Sequence, residues 1–302
     1  MGTGIVAVGF SLDGRPTLSR VLLGAGAVAW LALGLVLAAR ALFDRERMHR
    51  EARSPAALTG VAGTAVLGTA LITVGWEWAG IALLVVALAV WLALLTPVLG
   101  HWETPTAGVS FMLTVSTESL AVLAATLAQR DRAPWLLDAA LAPLLLGLAA
   151  YAFVVSRFDC RQLTTGRGDQ WVAGGALAIS TLAAARITVA ARSLGTLAGI
   201  QGALEVGALV LWAVTIAWLP LLVIAELLRP RLAYDVRRWS TVFPVGMYAA
   251  CSFLTGAAAH APAITDFARV WVWAGLAIWA VVAAAMLRRG VHLARGEPSC
   301  AE

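Results

Sequence analysis

Two ionisable residues lie inside long apolar runs, where charged side chains are rare. Glu118 is near the middle of one run, on a helical stripe with Thr114, Thr117 and Ala121, and Arg186 lies in a later run. An ionised carboxylate at bilayer depth is costly, so Glu118 needs a cavity, a proton or a partner. At about 1.5 Å per residue, Arg186 lies roughly 7–8 Å deeper, nearly within reach of an arginine side chain. We interpret the pair either as setting anion selectivity or proton coupling, or as a structural tether between two helices.

Phe243 begins a helical stripe that continues through Gly246, Met247 and Leu254. Pro244, the next residue, removes a backbone hydrogen bond and tends to bend a helix at that point. A bend beside a bulky aromatic side chain can direct the ring across an axis, and a dry aromatic constriction blocks ions. The alternative interpretation is an ordinary packed phenylalanine beside a kink.

Several hydroxyl side chains lie within the same apolar runs. Polar but uncharged linings suit ion conduction, because an ion must leave as readily as it enters. The alternative is that each hydroxyl bonds to a carbonyl of its own helix. The candidates are Thr64, Ser116, Thr117, Ser180 and Thr181.

Neither a metal site, a cofactor nor an enzymatic function is expected. The four histidines fall in predicted loops or in the C-terminal tail, without ligand spacing, and the three cysteines form no CxxC motif. No nucleophile lies in an arrangement with a base. The formal charge is +5, but the basic residues lie between apolar blocks without interleaved aromatic residues, which argues against nucleic-acid binding.

The elements that carry these residues are predicted to be membrane-spanning helices. The chain is 61% hydrophobic and 13% charged, whereas soluble domains are roughly 45–50% apolar and about 25% charged. Continuous runs of about 20 residues indicate helices and exclude a membrane barrel. The predicted spans are 20–43, 56–75, 78–99, 106–128, 134–156, 170–190, 203–228, 239–258 and 267–287, and a partial first span precedes them.

The basic residues predict the orientation of these ten spans. All 22 are arginine, and a cytoplasmic N-terminus places most of them on internal connections, as the positive-inside rule requires. We therefore expect a multi-pass protein of the bacterial inner membrane with both termini in the cytoplasm. Residues 1–302 are predicted to form one transmembrane domain, with 288–302 as a short cytoplasmic tail.

The predicted spans alternate in composition along the chain. Odd-numbered spans are rich in small and hydroxylated residues, as in VSTESLAVLAATLA, and even-numbered spans carry Leu, Val and Trp. Bulky apolar residues suit lipid, whereas small residues permit close helix packing or leave space along an axis. This alternation predicts an all-α fold of five helical hairpins around a central pore. A tightly packed bundle without a lumen is the alternative.

Four segments resemble one family of membrane transporters. The stretch Trp239-Ser240-Thr241-Val242-Phe243-Pro244-Val245-Gly246-Met247-Tyr248-Ala249 resembles the ninth-helix signature of the tellurite-resistance/dicarboxylate transporter family. That family includes the bacterial tellurite-resistance channel and the plant slow-type anion channels. Supporting, weaker segments are residues 2–6 (GTGIV), 115–121 (VSTESLA) and 175–182 (GALAISTL).

The resemblance implies a homotrimer whose protomers each conduct through five inner helices. It also implies that Phe243, with Pro244 beside it, plugs the pore, and that the cargo is small inorganic anions or dicarboxylates. The predicted lining or selectivity residues are Thr114, Ser116, Thr117, Glu118, Thr181, Arg186 and Gly246.

One departure from the family and two alternatives remain open at this point. Family members usually carry residues before the MxTGIV motif, whereas this sequence begins at its methionine, so the first inner helix is expected to be incomplete as given. A proton-coupled dicarboxylate or sulfite carrier is the alternative within transport. A membrane enzyme or assembly protein is the alternative outside it.

Overall fold

The computed structural model describes residues 1–163, 168–230 and 234–295, and the regular secondary structure within these ranges is helical. Only an isolated bridge between Thr106 and Phe158 has extended pairing within them. The helices are α1 (Gly2–Leu12), α2 (Pro16–Phe43), α3 (Arg45–Glu51), α4 (Thr59–Thr73), α5 (Glu77–Gly100), α6 (Met112–Asp131), α7 (Pro134–Val155), α8 (Asp169–Leu194), α9 (Gln201–Leu228), α10 (Trp239–Ala258) and α11 (Pro262–Ala294).

Nine of the described helices are long and apolar enough to cross a membrane. They are α2 and α4 to α11, and α1 is a shorter apolar helix. Large apolar side chains such as Leu35, Trp78 and Val270 are exposed along these helices. Since so much exposed apolar surface is incompatible with water, the described chain is an all-helical membrane protein.

Short connections join certain helices into pairs. Gly14 and Gly75 take positive φ angles of 73° and 88° in the turns that follow α1 and α4, a conformation that costs glycine little. Proline begins α2 and α7, where its missing N–H costs no helical hydrogen bond. Five successive pairs therefore pack as neighbours: α1–α2, α4–α5, α6–α7, α8–α9 and α10–α11.

The first helix of each pair is buried and the second is exposed. Between 61% and 100% of the residues in the apolar segments of α4, α6, α8 and α10 are buried, against 11–28% in α2, α5, α7, α9 and α11. Helix α1 is buried at Gly2 and from Gly4 to Phe10. The alternation predicted from side-chain size is therefore confirmed as an alternation of burial.

The five buried helices contact one another in a closed order, α1–α4–α6–α8–α10 and back to α1. We call them the ring helices, and α2, α5, α7, α9 and α11 the peripheral helices. Glycine allows close approach at four of the five contacts within the ring, because a Cβ atom there would meet the next helix. These pairs are Gly4–Val66, Gly68–Leu123, Gly175–Pro244 and Gly246–Ile5.

Tryptophan side chains fasten peripheral helices to the ring helix of the following pair. Each indole N–H donates to a hydroxyl oxygen: Trp30 to Thr64 (3.0 Å), Trp91 to Thr117 (3.0 Å), Trp212 to Ser252 (2.9 Å) and Trp279 to Thr3 (3.0 Å). An indole suits this role because it buries a large apolar ring and still satisfies its one donor.

The charged helix α3 lies between α2 and α4. Its Glu51 accepts from Arg47 at 2.9 Å and from Arg40 at 3.2 Å. The hydrogen bond from Arg47 lowers the pKa of the Glu51 carboxyl below its usual value. Because these side chains are substantially exposed, the ion pairs add little stability.

Helix α11 continues into the predicted tail of residues 288–302 and ends at Ala294. Residues 296–302 of that tail lie outside the described residues.

Candidate functional site

A small cavity lies at the centre of the ring, and every ring helix contributes to its wall. It is lined by Ile5, Val8, Val66, Thr69, Ser119, Val122, Ile179, Leu182 and Met247. Its volume of about 10 Å³ gives room for about one water molecule. The wall is aliphatic, because the hydroxyls of the two polar lining residues, Thr69 and Ser119, donate to the Ala65 and Val115 carbonyls of their own helices.

Phe243 lies one helical turn before Met247, on the same face of α10. Its side chain is only 4% exposed, so it is covered by protein and does not face lipid, but it is not among the residues that line the cavity. The adjacent Pro244 packs against Gly175 of α8, where even a methyl group would not fit without a shift. This contact fixes the part of α10 that carries Phe243.

Gly246 was predicted to line the passage, and the structure places it at a helix contact. A Cβ atom at this position would lie 2.7 Å from Cγ2 of Ile5 in α1. Its small size therefore lets α10 and α1 approach, and the neighbouring Met247 is the residue of α10 that lines the cavity.

The predicted hydroxyl candidates turn mainly to their own helix backbones. Ser116 and Thr117 donate to the Leu113 carbonyl, Thr181 to Leu177 and Thr64 to Gly60. The Ser180 hydroxyl lies 3.1 Å from the Ala176 carbonyl, but its one proton is donated to the nearer Oε2 of Glu118 at 2.7 Å. Four of the five hydroxyls thus bond to a carbonyl of their own helix, in the manner of the alternative weighed from the sequence.

Three of these hydroxyls also face peripheral helices, Thr64 through the hydrogen bond that it accepts from Trp30 of α2. Thr117 accepts from Trp91 of α5, and Thr181 shares a 2.9 Å hydrogen bond with Thr215 of α9. Thr114 is fully buried, and its hydroxyl has no hydrogen-bond partner among the described residues. The lining hydroxyls Thr69 and Ser119 were not singled out from the sequence. Ser119 follows directly after the predicted residues Thr117 and Glu118, and nothing in the sequence shows which of these neighbouring positions of α6 turns inward.

Glu118 lies behind the wall of the ring. It is fully buried, and its Oε2 accepts a 2.7 Å hydrogen bond from the Ser180 hydroxyl of α8. Its side chain occupies the space beside Gly147 of the peripheral helix α7, where a Cβ atom would collide with the carboxyl group. Its Oε1 has no partner among the described residues. Glu118 thus connects α6, α7 and α8 and is absent from the cavity wall.

The predicted pairing of Glu118 with Arg186 is wrong. Arg186 instead donates from Nη1 to Oε1 of Gln129 in α6 at 3.2 Å. Ser180 and Arg186 lie on the same helix, six residues or roughly 9 Å apart, so the nearer hydroxyl of Ser180 meets the carboxylate first. Arg186 is 9% exposed and lies seven residues after Ile179, on the face of α8 that lines the cavity.

The geometry defines the class of protein as a helical membrane protein with a narrow, uncharged cavity inside a closed set of buried helices. The comparison with protein families agrees with this class. The SLAC1 family, described as voltage-dependent anion channel, matches residues 1–287 of the chain. The chain belongs to this family.

Curated relatives extend the comparison to part of the chain. Two sequences from Mycobacterium tuberculosis strains, each named an uncharacterized membrane protein (MT1776 and Rv1735c), are 38% identical to it over 130 residues. The match covers 41% of this chain and 64% of each relative. Their names give a membrane location and no activity.

Proposed function

We propose that the chain moves small anions across the bacterial plasma membrane through the axis of its ring helices. The observation that carries this proposal is the central cavity, whose wall takes residues from every ring helix. A cavity built in this way lies on the one line that all of the buried helices surround. In the proposed arrangement α1 also spans the membrane, which brings the number of spans to ten. The five hairpins then enclose one pore, and both termini lie in the cytoplasm.

The proposed pathway is closed by the aromatic side chain of Phe243. This residue is buried and lies on the face of α10 that carries Met247, one helical turn before it. Since the cavity at Met247 has room for about one water molecule, an anion would have to lose nearly all of its hydration there. Such a narrow aliphatic passage is a barrier that gates by excluding water.

The proposed cargo is a small inorganic anion or a dicarboxylate, including the tellurite-related ions of the resembled family. Membership of an anion-channel family supports the charge of the cargo. The residues that line the cavity carry no fixed negative charge, which agrees with an anionic cargo. We further propose that three copies assemble as a homotrimer, each with its own pathway, in line with the resemblance.

Replacement of Phe243 by alanine tests the proposal. Phe243→Ala is expected to raise anion flux several-fold in proteoliposomes, because it removes the aromatic side chain that is proposed to close the pathway. Flux is measured by planar-bilayer recording with chloride, nitrate, sulfite and malate at two pH values.

Phe253→Ala is the matched control, since Phe253 is a buried phenylalanine of the same helix, six residues beyond Met247 and turned away from the cavity. Unchanged flux in a correctly folded Phe243→Ala protein contradicts the gate. If neither this variant nor the unmodified protein passes any of the four anions, anion transport itself is contradicted.

A further inference from the structure

Arg186 belongs to a layer of residues that follows the cavity along the ring. In each ring helix, the residue seven positions beyond a cavity-lining residue lies on nearly the same face, about 10 Å further along the axis. Counted from Ile5, Val66, Val122, Ile179 and Met247, these residues are Leu12, Thr73, Gln129, Arg186 and Leu254. Three of the five are polar, whereas most of the cavity wall is aliphatic.

The hydrogen bond between Arg186 and Gln129 supports this layer independently. It joins two residues that helical spacing alone places at the same level and on the same side of their helices. Arg186 is nine-tenths buried, so its guanidinium lies inside the protein near this end of the ring.

The partners of Arg186 differ from those of other arginines near the same helix ends. Arg15 pairs with Asp13, Arg130 with Glu77, Arg192 with Glu205 and Arg269 with Asp266, all at 2.7–2.8 Å. The one partner of Arg186 found among the described residues is a neutral amide oxygen, and its buried Nε donates to none of them. An arginine stays protonated, so a buried guanidinium without a carboxylate favours an anion from outside the protein.

The direction of the ring helices gives a second reason for a positive charge at the level of Arg186. In the proposed arrangement the ring helices run parallel, so their C-terminal ends meet at this mouth of the pathway. Each helix C-terminus carries about half a negative charge, which repels anions. A fixed guanidinium just inside these ends counteracts that repulsion.

We propose that Arg186 and Gln129 form an anion-binding site at the external mouth of the pathway, suited to small planar oxyanions and carboxylates. The guanidinium presents parallel N–H donors that match two oxygens of one planar anion, which a spherical halide cannot use in the same way. The Gln129 side chain orients the guanidinium by accepting from Nη1. This inference rests on the proposed function, because it assigns the site to the entrance of the same pathway.

Nitrate and chloride serve as probes in proteoliposomes that contain the Phe243→Ala protein. We expect Arg186→Gln in this background to raise the half-saturating nitrate concentration about tenfold, since charge-assisted hydrogen bonds are lost. Arg186→Lys keeps the charge without the planar fork, so it is expected to retain chloride flux within about twofold and to lose the preference for nitrate. Arg130→Gln is the control, because Arg130 is adjacent to Gln129 but exposed and paired with Glu77.

A binding measurement separates this inference from the proposed function. Nitrate, compared with gluconate at equal ionic strength, is expected to raise the melting temperature of the detergent-solubilised protein and of Arg130→Gln, but not that of Arg186→Gln. If Phe243→Ala conducts, and if Arg186→Gln and Arg130→Gln bind nitrate with equal affinity, the anion-binding site is overturned and the pathway is left intact. Nitrate stabilisation that depends on Arg186 without any conduction supports the site and overturns the pathway. If Arg186→Gln does not fold, Arg186→Lys decides instead. An unchanged preference for nitrate over chloride in Arg186→Lys overturns the site.

Discussion

The contacts between peripheral and ring helices fall into two kinds. Four peripheral helices, α2, α5, α9 and α11, each place an indole N–H on a hydroxyl of the next ring helix. Helix α7 has no such tryptophan. At about the position where α2 and α5 carry theirs, α7 has Gly147, and the Glu118 side chain of α6 fills the space beside it.

The ring itself differs at the same place. Four ring contacts are close packings at glycine, whereas the α6–α8 contact includes the hydrogen bond from Ser180 to Glu118. Thus one sector, formed by α6, α7 and α8, replaces both glycine packing and indole anchoring with a buried carboxyl group. A neutral hydrogen bond tolerates small changes in volume, while a buried carboxyl group needs both its space and its partner. The sector around Glu118 should therefore be the most sensitive to substitution.

The largest effect is expected from Gly147→Leu. The new side chain would overlap the Glu118 carboxyl group, and overpacking a buried contact costs about 3 kcal/mol or prevents folding. Thermal unfolding followed by gel filtration in detergent measures the loss. Gly34→Leu is the control, since a Cβ atom at this exposed position of α2 meets nothing within 4 Å.

A double-mutant cycle sharpens this result. If Glu118 is what fills the space, Gly147→Ala should cost less in a Glu118→Ala protein than in the unmodified one. Equal costs in the two backgrounds would show that the crowding at Gly147 has another source.

A smaller effect is expected from Trp91→Phe. This change removes the donor to Thr117 and keeps most of the apolar ring, so it should lower the free energy of unfolding by about 1 kcal/mol. Trp212→Phe should behave alike, because its bond to Ser252 is equivalent. Trp78→Phe, at an indole that is 71% exposed, should change stability by less than about 0.5 kcal/mol. If all three variants unfold at the same temperature, the indole hydrogen bonds add no stability, and they do not distinguish the two kinds of contact.

The smallest effect is expected from Glu118→Gln. A glutamine oxygen can accept the same hydrogen bond from Ser180, and the side chain keeps its shape beside Gly147. Because Glu118 lies behind the cavity wall, the pH profile of anion flux through Phe243→Ala should stay the same when Glu118→Gln is added. A flattened profile, measured by flux between pH 5 and 8, would instead favour the proton-coupled dicarboxylate or sulfite carrier.

Composition predicted the radial order of the helices well, because small and bulky residues have opposite preferences for close packing and lipid. Composition did not predict how each helix is rotated about its own axis, and therefore which of its side chains face the cavity. Helix α6 is buried on every side, so no polar face reports which residues turn inward. The stripe chosen from the sequence contained Thr117 and Glu118, which face α5 and α7, whereas Ser119 and Val122 face the cavity.

For the same reason, the depth of a residue in the membrane was easier to estimate than the direction in which its side chain points. A rise per residue gives the level of Glu118 and Arg186 in the membrane, but hydrogen-bond partners depend on which neighbour each side chain meets. The sequence analysis named Arg186 as a lining or selectivity residue, but its spacing of seven residues from Ile179 acquires a meaning only once the cavity is known.

The bond from Trp279 to Thr3 joins residues at opposite ends of the sequence, 276 positions apart. Helix α1 also packs against α10, which is made late in synthesis. During translation, α1 must therefore wait with one flank unoccupied while most of the chain enters the bilayer. A ribosome that stops before α10 would leave a ring with a gap beside α1, and such nascent chains should be ready substrates for membrane proteases.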